Sequence, residues 1–178
     1  MAGRVSDNRS CDARECPEHD PEKWRPVFEE DHAPTADKDT TMPQQITTHV
    51  HDLVAAAERE IETLPAAEAI ELHGRNDVVF VDIRDIRELV RDGRVPGAFH
   101  CPRGMLEFWL DPESKYHKPV FSEDKRFVFF CAGGLRSALA TQTAQRMGLK
   151  PVAHIAGGFG AWKEAGGPVE TSEAKPTA

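Results

Sequence analysis

The chain contains 178 residues, which suits one well-packed domain and is too short for two of typical size. Its formal net charge of −8 argues against nucleic acid or an anionic membrane surface as a partner. No apolar stretch reaches the roughly 18 residues that a membrane span needs, and charged residues run through the amino terminus, where a secretory leader would be apolar. The four well-separated cysteines are therefore expected to be free thiols in a reducing cytoplasm.

Residues 1–45 differ in composition from the rest of the chain. They carry six basic and eleven acidic residues, five prolines and no apolar period. Such a segment cannot bury enough apolar surface to offset its chain entropy, so we expect an acidic, proline-rich tail that is disordered or loosely docked. A tail of this kind could recruit a partner protein. Residues 46–170 are left for the folded domain, and residues 171–178 are expected to form a flexible end.

Four residues of types that bind zinc lie in this tail: Cys11, Cys16, His19 and His32. The spacing of the two cysteines can ligate zinc, but the second close pair that zinc sites usually have is missing. We therefore predict no metal site there.

Regular patterns begin at Thr47. Apolar residues recur at helical spacing from Val50 to Ile61 and predict an amphipathic helix. Pro65 suits the first turn of a second helix. The continuous apolar run 78–82 that follows is typical of a strand buried on both faces of a parallel sheet.

A short helix is expected over residues 86–91, because Asp85 followed three residues later by Glu88 matches a capping box. The sequence of residues 96–100 predicts a turn that leads into a short strand. The long connection 102–126 is irregular, apart from one or two helical turns that would turn Phe108 and Trp109 inward.

The second half of the domain alternates strands and helices. The sequence predicts strands at 127–130 and 152–155, and helices at about 136–147, with Met147 available to the core, and 159–165. This alternation indicates an α/β sandwich around a mainly parallel sheet. Ligands of such sheets bind at the carboxyl ends of the strands.

The most informative segment follows the second buried strand and reads Cys131-Ala132-Gly133-Gly134-Leu135-Arg136-Ser137. A cysteine here lies at the end of a strand and faces the amino end of a helix, where unpaired N–H groups and the helix dipole converge. Arg136 adds a permanent positive charge. These effects favour thiolate over thiol, which indicates that Cys131 is a nucleophile.

The two glycines of this segment allow the backbone to turn so that successive N–H groups point at one anion. Residues 132–137 are therefore predicted to form an anion cup. The alternative is a core cysteine at the end of an apolar strand, but it leaves the glycines and the arginine without a reason.

Four segments resemble a rhodanese domain in order and spacing: 81–84, 93–98, 131–137 and 155–162. They span about residues 62–170, and residues 103–109 also resemble a stretch of bacterial single-domain members. The resemblance implies a three-layer α/β sandwich with a mainly parallel central sheet flanked by helices.

The same resemblance implies a sulfurtransferase. The family's cysteine takes sulfane sulfur from a donor such as thiosulfate, holds it as a persulfide and passes it to cyanide or a thiol. By position that cysteine is Cys131, and residues 132–137 would bind the persulfide without a metal or organic cofactor. Members specialised for thiosulfate have basic residues inside the loop, whereas Ala132 and Leu135 are apolar, so a persulfide is an alternative donor.

Each of the residues expected to lie near the Cys131 loop allows two interpretations. Asp82 and Arg84 could orient the loop, but a structural salt bridge is favoured. Cys101 could form a disulfide with the nucleophile, but a packed free cysteine is favoured. His100 and His154 are expected to be hydrogen-bonded rather than to act as general bases.

Two other functions fit the loop. Related phosphatases share this fold, but their loops place one residue more between cysteine and arginine than the four found here between Cys131 and Arg136. The other possibility is a sulfur carrier or redox-regulatory module that accepts sulfur without turnover and whose tail recruits a partner.

Overall fold

The computed structural model describes residues 45–171. The predicted tail up to residue 44, with Cys11, Cys16, His19 and His32, lies outside the described residues, as does almost all of the predicted flexible end. The boundaries at residues 45 and 170 therefore stay predictions. Among the helices of the described part, none is long and apolar enough to cross a membrane.

Helices and strands alternate along the described residues, six of the first and five of the second. The helices are α1 Val50–Glu58, α2 Ala66–Leu72, α3 Ile86–Asp92, α4 Leu106–Leu110, α5 Leu135–Arg146 and α6 Gly158–Glu164. The strands are β1 Glu62–Leu64, β2 Val78–Asp82, β3 Phe99–His100, β4 Arg126–Phe130 and β5 Val152–Ile155.

The five strands form one sheet in the order β1-β5-β4-β2-β3, and every neighbouring pair is parallel. Asp82 at the end of β2 lies opposite Phe130 on one side and His100 on the other. All carboxyl ends therefore meet at one edge of the sheet, and β4 is its central strand. The predicted α/β class with a parallel sheet is confirmed.

The core lies on both faces of the sheet because successive side chains of a strand point to opposite faces. Phe127 and Phe129 of β4 belong to the cluster that includes Ala140 and Ala144 of α5. Val128 and Phe130 belong to the cluster on the other face, with Phe159 and Trp162. Burial of each such large side chain contributes about 1.5–3 kcal/mol, so the apolar run 127–130 fixes the middle layer of the sandwich.

The first helix is shorter than predicted. It ends at Glu58, and the following residues Glu62–Leu64 form β1, which pairs with β5. This strand was not predicted from the sequence, because it is three residues long, lies at the edge of the sheet and buries only Leu64. Val50, placed on the inner face by its spacing, is half-exposed, because the helix buries only a narrow stripe of its surface.

Phe108 and Met147 were predicted to pack into the core, but both are exposed. Phe108 is 53% exposed and packs against Tyr116, because α4 directs Leu106 and Leu110 into the core and position 108 lies on the other side of that short helix. Trp109 is partly buried, as expected. Met147 is the residue that follows the last turn of α5 and is exposed.

Candidate active site

Cys131 directly follows β4, and α5 begins four residues later at Leu135. The thiol lies at the carboxyl edge of the sheet with only 1% of the residue exposed. The backbone N–H of Gly134 donates a hydrogen bond to Cys131 Sγ over 3.2 Å. A backbone donor at this position stabilises a thiolate more than a thiol, because a charged acceptor forms the stronger hydrogen bond.

The amino end of α5 is open toward this thiol. Gly134 is its N-cap residue with φ +93°, and among the described residues no side chain caps the helix. The N–H groups of the first turn are therefore available to an anion near Cys131. Gly133 and Leu135 are exposed and Ala132 is half-buried, so the rim of the loop is apolar as the sequence predicts.

A second glycine turn holds the loop from behind. The N–H of Phe159 donates to the Cys131 carbonyl over 2.7 Å, and the N–H of Gly160 donates to the Ala132 carbonyl over 3.0 Å. A Cβ on Gly158 would lie 2.3 Å from the Cys131 carbonyl oxygen. Gly158 is needed because two backbones meet at its Cα. Gly157 and Gly158 lie in the resembling segment 155–162, but nothing in the sequence indicated this contact.

Ser137 supports the loop through its side chain. Its Oγ donates to the Gly134 carbonyl over 2.9 Å and lies 3.4 Å from Nδ1 of His154. The other ring nitrogen of His154 lies 3.0 Å from Thr63 Oγ1. Burial lowers the pKa of His154, because it disfavours the charged form of the ring. His154 is therefore hydrogen-bonded, as expected, and lies in a polar row beneath the loop.

Arg136 lies on the first turn of α5 and pairs with Glu88 of α3. Its two terminal nitrogens donate to the two carboxylate oxygens over 2.8 Å each. Arg136 lowers the pKa of Glu88 to about 2, and the pairing raises the pKa of Arg136 above its usual value. Glu88 also accepts a hydrogen bond from the N–H of Asp85 over 3.0 Å, as the predicted capping box requires.

The pairing of Arg136 with Glu88 was missed by the sequence analysis. Glu88 was identified only as a capping residue, and its separation from the loop in sequence gave no sign of a contact. A carboxylate in the first turn of a short helix at the same sheet edge is the one signal that could have indicated it.

Asp82 and Arg84 form a fully buried ion pair with an Nη2–Oδ2 distance of 2.6 Å. Arg84 also donates to the Gly93 carbonyl and lies over the ring of Phe159, 3.9 Å from its centroid. Phe159 in turn holds the loop, so the pair supports the loop from inside the core. His100 lies 2.9 Å from the Arg84 carbonyl oxygen and is also hydrogen-bonded.

Cys101 is fully buried after β3, and burial raises the pKa of its thiol to about 12. It lies across β2 from the predicted nucleophile: the N–H of Cys101 donates to the Asp82 carbonyl, while that of Ile83 donates to the Phe130 carbonyl. Two strand spacings separate the cysteines by about 9–10 Å. A disulfide needs Cα atoms within about 7 Å, so this geometry favours a packed thiol.

Within residues 45–171, no group of three or more His, Cys, Asp or Glu side chains is placed to hold a metal ion. The candidate site is therefore described by one thiol, backbone N–H groups and a neutralised arginine.

Comparison with known proteins agrees with this geometry. The model of the rhodanese-like domain matches residues 65–165, more than half of the chain. The chain is 32% identical over 91 residues to a thiosulfate sulfurtransferase/rhodanese-like domain-containing protein of Mus musculus, an alignment that covers 48% of this chain and 58% of the mouse protein. It is 30% identical over 105 residues to a putative sulfurtransferase of Bacillus subtilis, covering 59% of this chain and 90% of that protein.

Two solved structures bear on the site. A Rhodopseudomonas palustris protein of unknown function, described as a possible tyrosine phosphatase, is 65% identical with a TM-score of 0.71, over 73% of this chain and all of that one. The polysulfide-sulfur transferase homodimer of Wolinella succinogenes is 28% identical with a TM-score of 0.53, over 70% of this chain and 89% of that one.

Proposed function

This chain belongs to the rhodanese-like domain family, whose relatives include named sulfurtransferases, and from that premise we propose that it transfers sulfane sulfur through a persulfide on Cys131. The observation that carries the proposal is the 3.2 Å hydrogen bond from the Gly134 N–H to Cys131 Sγ at the uncapped start of α5. A buried thiol that receives a backbone donor at a helix amino end is suited to nucleophilic attack.

The reaction has two steps. The Cys131 thiolate attacks the outer sulfur of a donor such as thiosulfate, the sulfur–sulfur bond of the donor breaks, and sulfite leaves with the bonding electrons. The persulfide anion on Cys131 then gives its outer sulfur to cyanide, forming thiocyanate, or to a thiol, and the thiolate is restored. Neither step needs a metal or an organic cofactor.

The residues of the loop have distinct proposed roles. The backbone N–H groups of residues 132–137 bind the negative charge on the outer sulfur, because dipoles fixed in place stabilise an anion without reorganising. Ser137 fixes the Gly134 carbonyl, and Asp82 with Arg84 supports the loop through Phe159. These are positioning residues, since the hydrogen bonds described for the three side chains go to other groups and not to Cys131 Sγ.

Phosphatase activity is the second candidate, because the 65% identical Rhodopseudomonas palustris protein is described as a possible tyrosine phosphatase. The loop argues against it. Four residues separate Cys131 from Arg136, one fewer than phosphatase loops have, and the arginine that would bind a phosphoryl group is already paired with Glu88.

The test is the intact mass of the reduced protein after incubation with thiosulfate or glutathione persulfide, with Cys131→Ser alongside. We expect the parent alone to gain one sulfur atom, and cyanide to remove it. Absence of a gain with both donors, combined with hydrolysis of p-nitrophenyl phosphate by the parent but not by Cys131→Ser, would replace this proposal with the phosphatase.

Repeated turnover separates an enzyme from a sulfur carrier. An enzyme forms thiocyanate from thiosulfate and cyanide over many cycles, whereas a carrier forms a single equivalent. Deletion of residues 1–45 tests the predicted recruitment of a partner by the tail: transfer to small thiols should be unchanged, and only binding to the partner should be lost.

A further inference from the structure

The charge that the loop offers to a donor is smaller than its sequence implies. Arg136 carries the only charged side chain among residues 131–137. Both of its terminal nitrogens are engaged by Glu88, and this pair is partly buried, with 43% of the arginine and 18% of the glutamate side chain exposed. A bidentate pair of this kind is held in one geometry and carries no net charge.

Glu88 is fixed independently of the arginine. It closes the capping box of α3 through the N–H of Asp85, so the carboxylate is held where it is even without its partner. Because the pKa of Glu88 is about 2, the carboxylate stays charged throughout the neutral range. Glu88 is the main cause of the raised pKa of Arg136, and Cys131 contributes to it as well.

What remains for an anion is the backbone. A helix amino end acts as roughly half a positive charge, which offsets part of the single negative charge of a persulfide. Thiosulfate brings two negative charges to the same place. The second negative charge would lie near a neutralised arginine and the apolar residues Ala132 and Leu135. These residues provide it with little electrostatic stabilisation.

We propose that Glu88 is a specificity-determining residue: by neutralising Arg136 it selects sulfur donors that bring at most one negative charge to Cys131, an alkyl persulfide in preference to thiosulfate. This inference rests on the proposed sulfurtransferase function.

With such a donor the step balances without a further reactant. The Cys131 thiolate attacks the outer sulfur of R–S–SH, and the sulfur–sulfur bond of the donor breaks. The leaving thiolate takes the bonding electrons and the persulfide proton, which gives R–SH and the persulfide anion on Cys131. Glu88 takes no part in bond making and acts only through the charge of Arg136.

Two probes separate charge from shape. Thiosulfate is a dianion, and methanethiosulfonate is a monoanion of the same tetrahedral form in which a methyl group replaces one charged oxygen. Both give up an outer sulfur to a thiolate, and they release sulfite and methanesulfinate respectively. A change in the charge near Cys131 acts twice as strongly on the energy of the dianion as on that of the monoanion.

The variant is Glu88→Gln, in which an amide keeps the shape and the capping contact but leaves Arg136 charged. The matched control is Glu60→Gln. Glu60 pairs with Arg146 at the other end of the same helix, 3.1 Å apart, so the control removes the same charge from an arginine pair distant from Cys131.

In Glu88→Gln we expect kcat/KM to rise about tenfold for thiosulfate and about threefold for methanethiosulfonate, as a full charge in water-like surroundings would produce. Glu60→Gln should leave both values unchanged. An equal rise for the two donors, or no rise for thiosulfate, overturns the role of Glu88.

The parent protein supplies a test that does not depend on folding of a variant. With Arg136 neutralised, kcat/KM for thiosulfate should stay level or rise as salt is added, because salt screens the repulsion from the net charge of −8 more than the attraction of the partial charge at the helix amino end. A fall with salt would reveal a positively charged site and overturn the inference. If neither probe loads sulfur on Cys131, it is the sulfurtransferase proposal that fails.

Discussion

The surroundings of Cys131 and Cys101 make an instructive comparison. Both cysteines directly follow a parallel strand at the same edge of the sheet, both are buried, and both belong to the same apolar cluster. Cys131 is followed by Ala132, two glycines and a twelve-residue helix, and a backbone N–H donates to its sulfur. Cys101 is followed by Pro102, which has no N–H to donate, and by a short 3₁₀ turn.

The difference teaches that a strand end and burial do not by themselves make a nucleophile. Burial without donors raises the pKa of Cys101 to about 12, so that thiol stays protonated and unreactive at neutral pH. Under the proposed function, the donors that follow the cysteine distinguish Cys131 from Cys101, and each prediction below alters one side of this comparison.

Replacing each cysteine by serine gives the largest expected contrast. Cys131→Ser should lose sulfur loading completely, because an alcohol does not form a persulfide. Cys101→Ser should keep transfer within about threefold while losing about 1–3 kcal/mol of stability, since it buries a hydroxyl in an apolar cluster. Thiocyanate formation and urea unfolding measure the two effects. A Cys101→Ser protein that folds but does not transfer sulfur would make Cys101 part of the mechanism.

Gly158→Ala attacks the support of the Cys131 loop. The new Cβ would lie 2.3 Å from the Cys131 carbonyl oxygen, so the loop must shift, and transfer should fall on the order of 100-fold. Gly74→Ala is the control: its φ of +79° is similarly strained, but nothing lies within 4 Å. It should lose about 1–2 kcal/mol of stability and keep its transfer rate. Equal rates in the two variants would contradict the proposed contact.

Ser137→Ala weakens the same loop more gently. It removes the hydroxyl that holds the Gly134 carbonyl, so kcat should fall about threefold to tenfold for a lost hydrogen bond of about 1 kcal/mol. Thr143→Ala serves as control, since Thr143 makes the same kind of hydroxyl-to-carbonyl bond, to Leu139, farther along α5. The control should lose stability without loss of kcat. An unchanged kcat in Ser137→Ala would mean that the Gly134 N–H stays in place without this support.

The smallest expected effect is a pH dependence from His154, which lies beneath the Cys131 loop. Burial lowers its pKa in the folded state below the value of 6.5. Well above pH 6.5 both states hold a neutral ring and the full stability is present. As the pH falls below that value the unfolded state takes up a proton that the folded state does not, so stability is lost.

Replacing His154 removes this proton uptake. His154→Gln should therefore lose less stability than the parent between pH 7.5 and 5.5, by at most about 1 kcal/mol per pH unit. Urea unfolding at the two pH values measures this loss of stability. The carboxylates are common to both proteins, so their contribution to the pH dependence cancels when the two proteins are compared. If the difference in unfolding free energy between the parent and the variant is the same at pH 5.5 as at pH 7.5, a neutral, buried ring is contradicted.

The sequence predicted most of the fold because its signals are local. The apolar runs at 78–82 and 127–130 are too continuous for a surface strand, and each belongs to the parallel sheet. The capping box of Asp85 and Glu88 needs only four successive residues, and it is present. The edge strand β1 was not predicted, because three residues carry too little periodicity to indicate a strand. The predicted inward orientation of Phe108 was wrong, because a single helical turn does not determine which side faces the core.

The candidate site likewise combines features that the local sequence indicates with contacts that it does not. The sequence by itself determined that Cys131 ends a buried strand, that glycines follow it and that a helix begins there, because these features lie within seven residues. Only the tertiary structure decided what surrounds that loop: Glu88 on Arg136, Gly158 against the Cys131 carbonyl and His154 beneath Ser137. Parallel strands joined by helices bring residues far apart in the chain to one sheet edge, and no local pattern records which of them will meet.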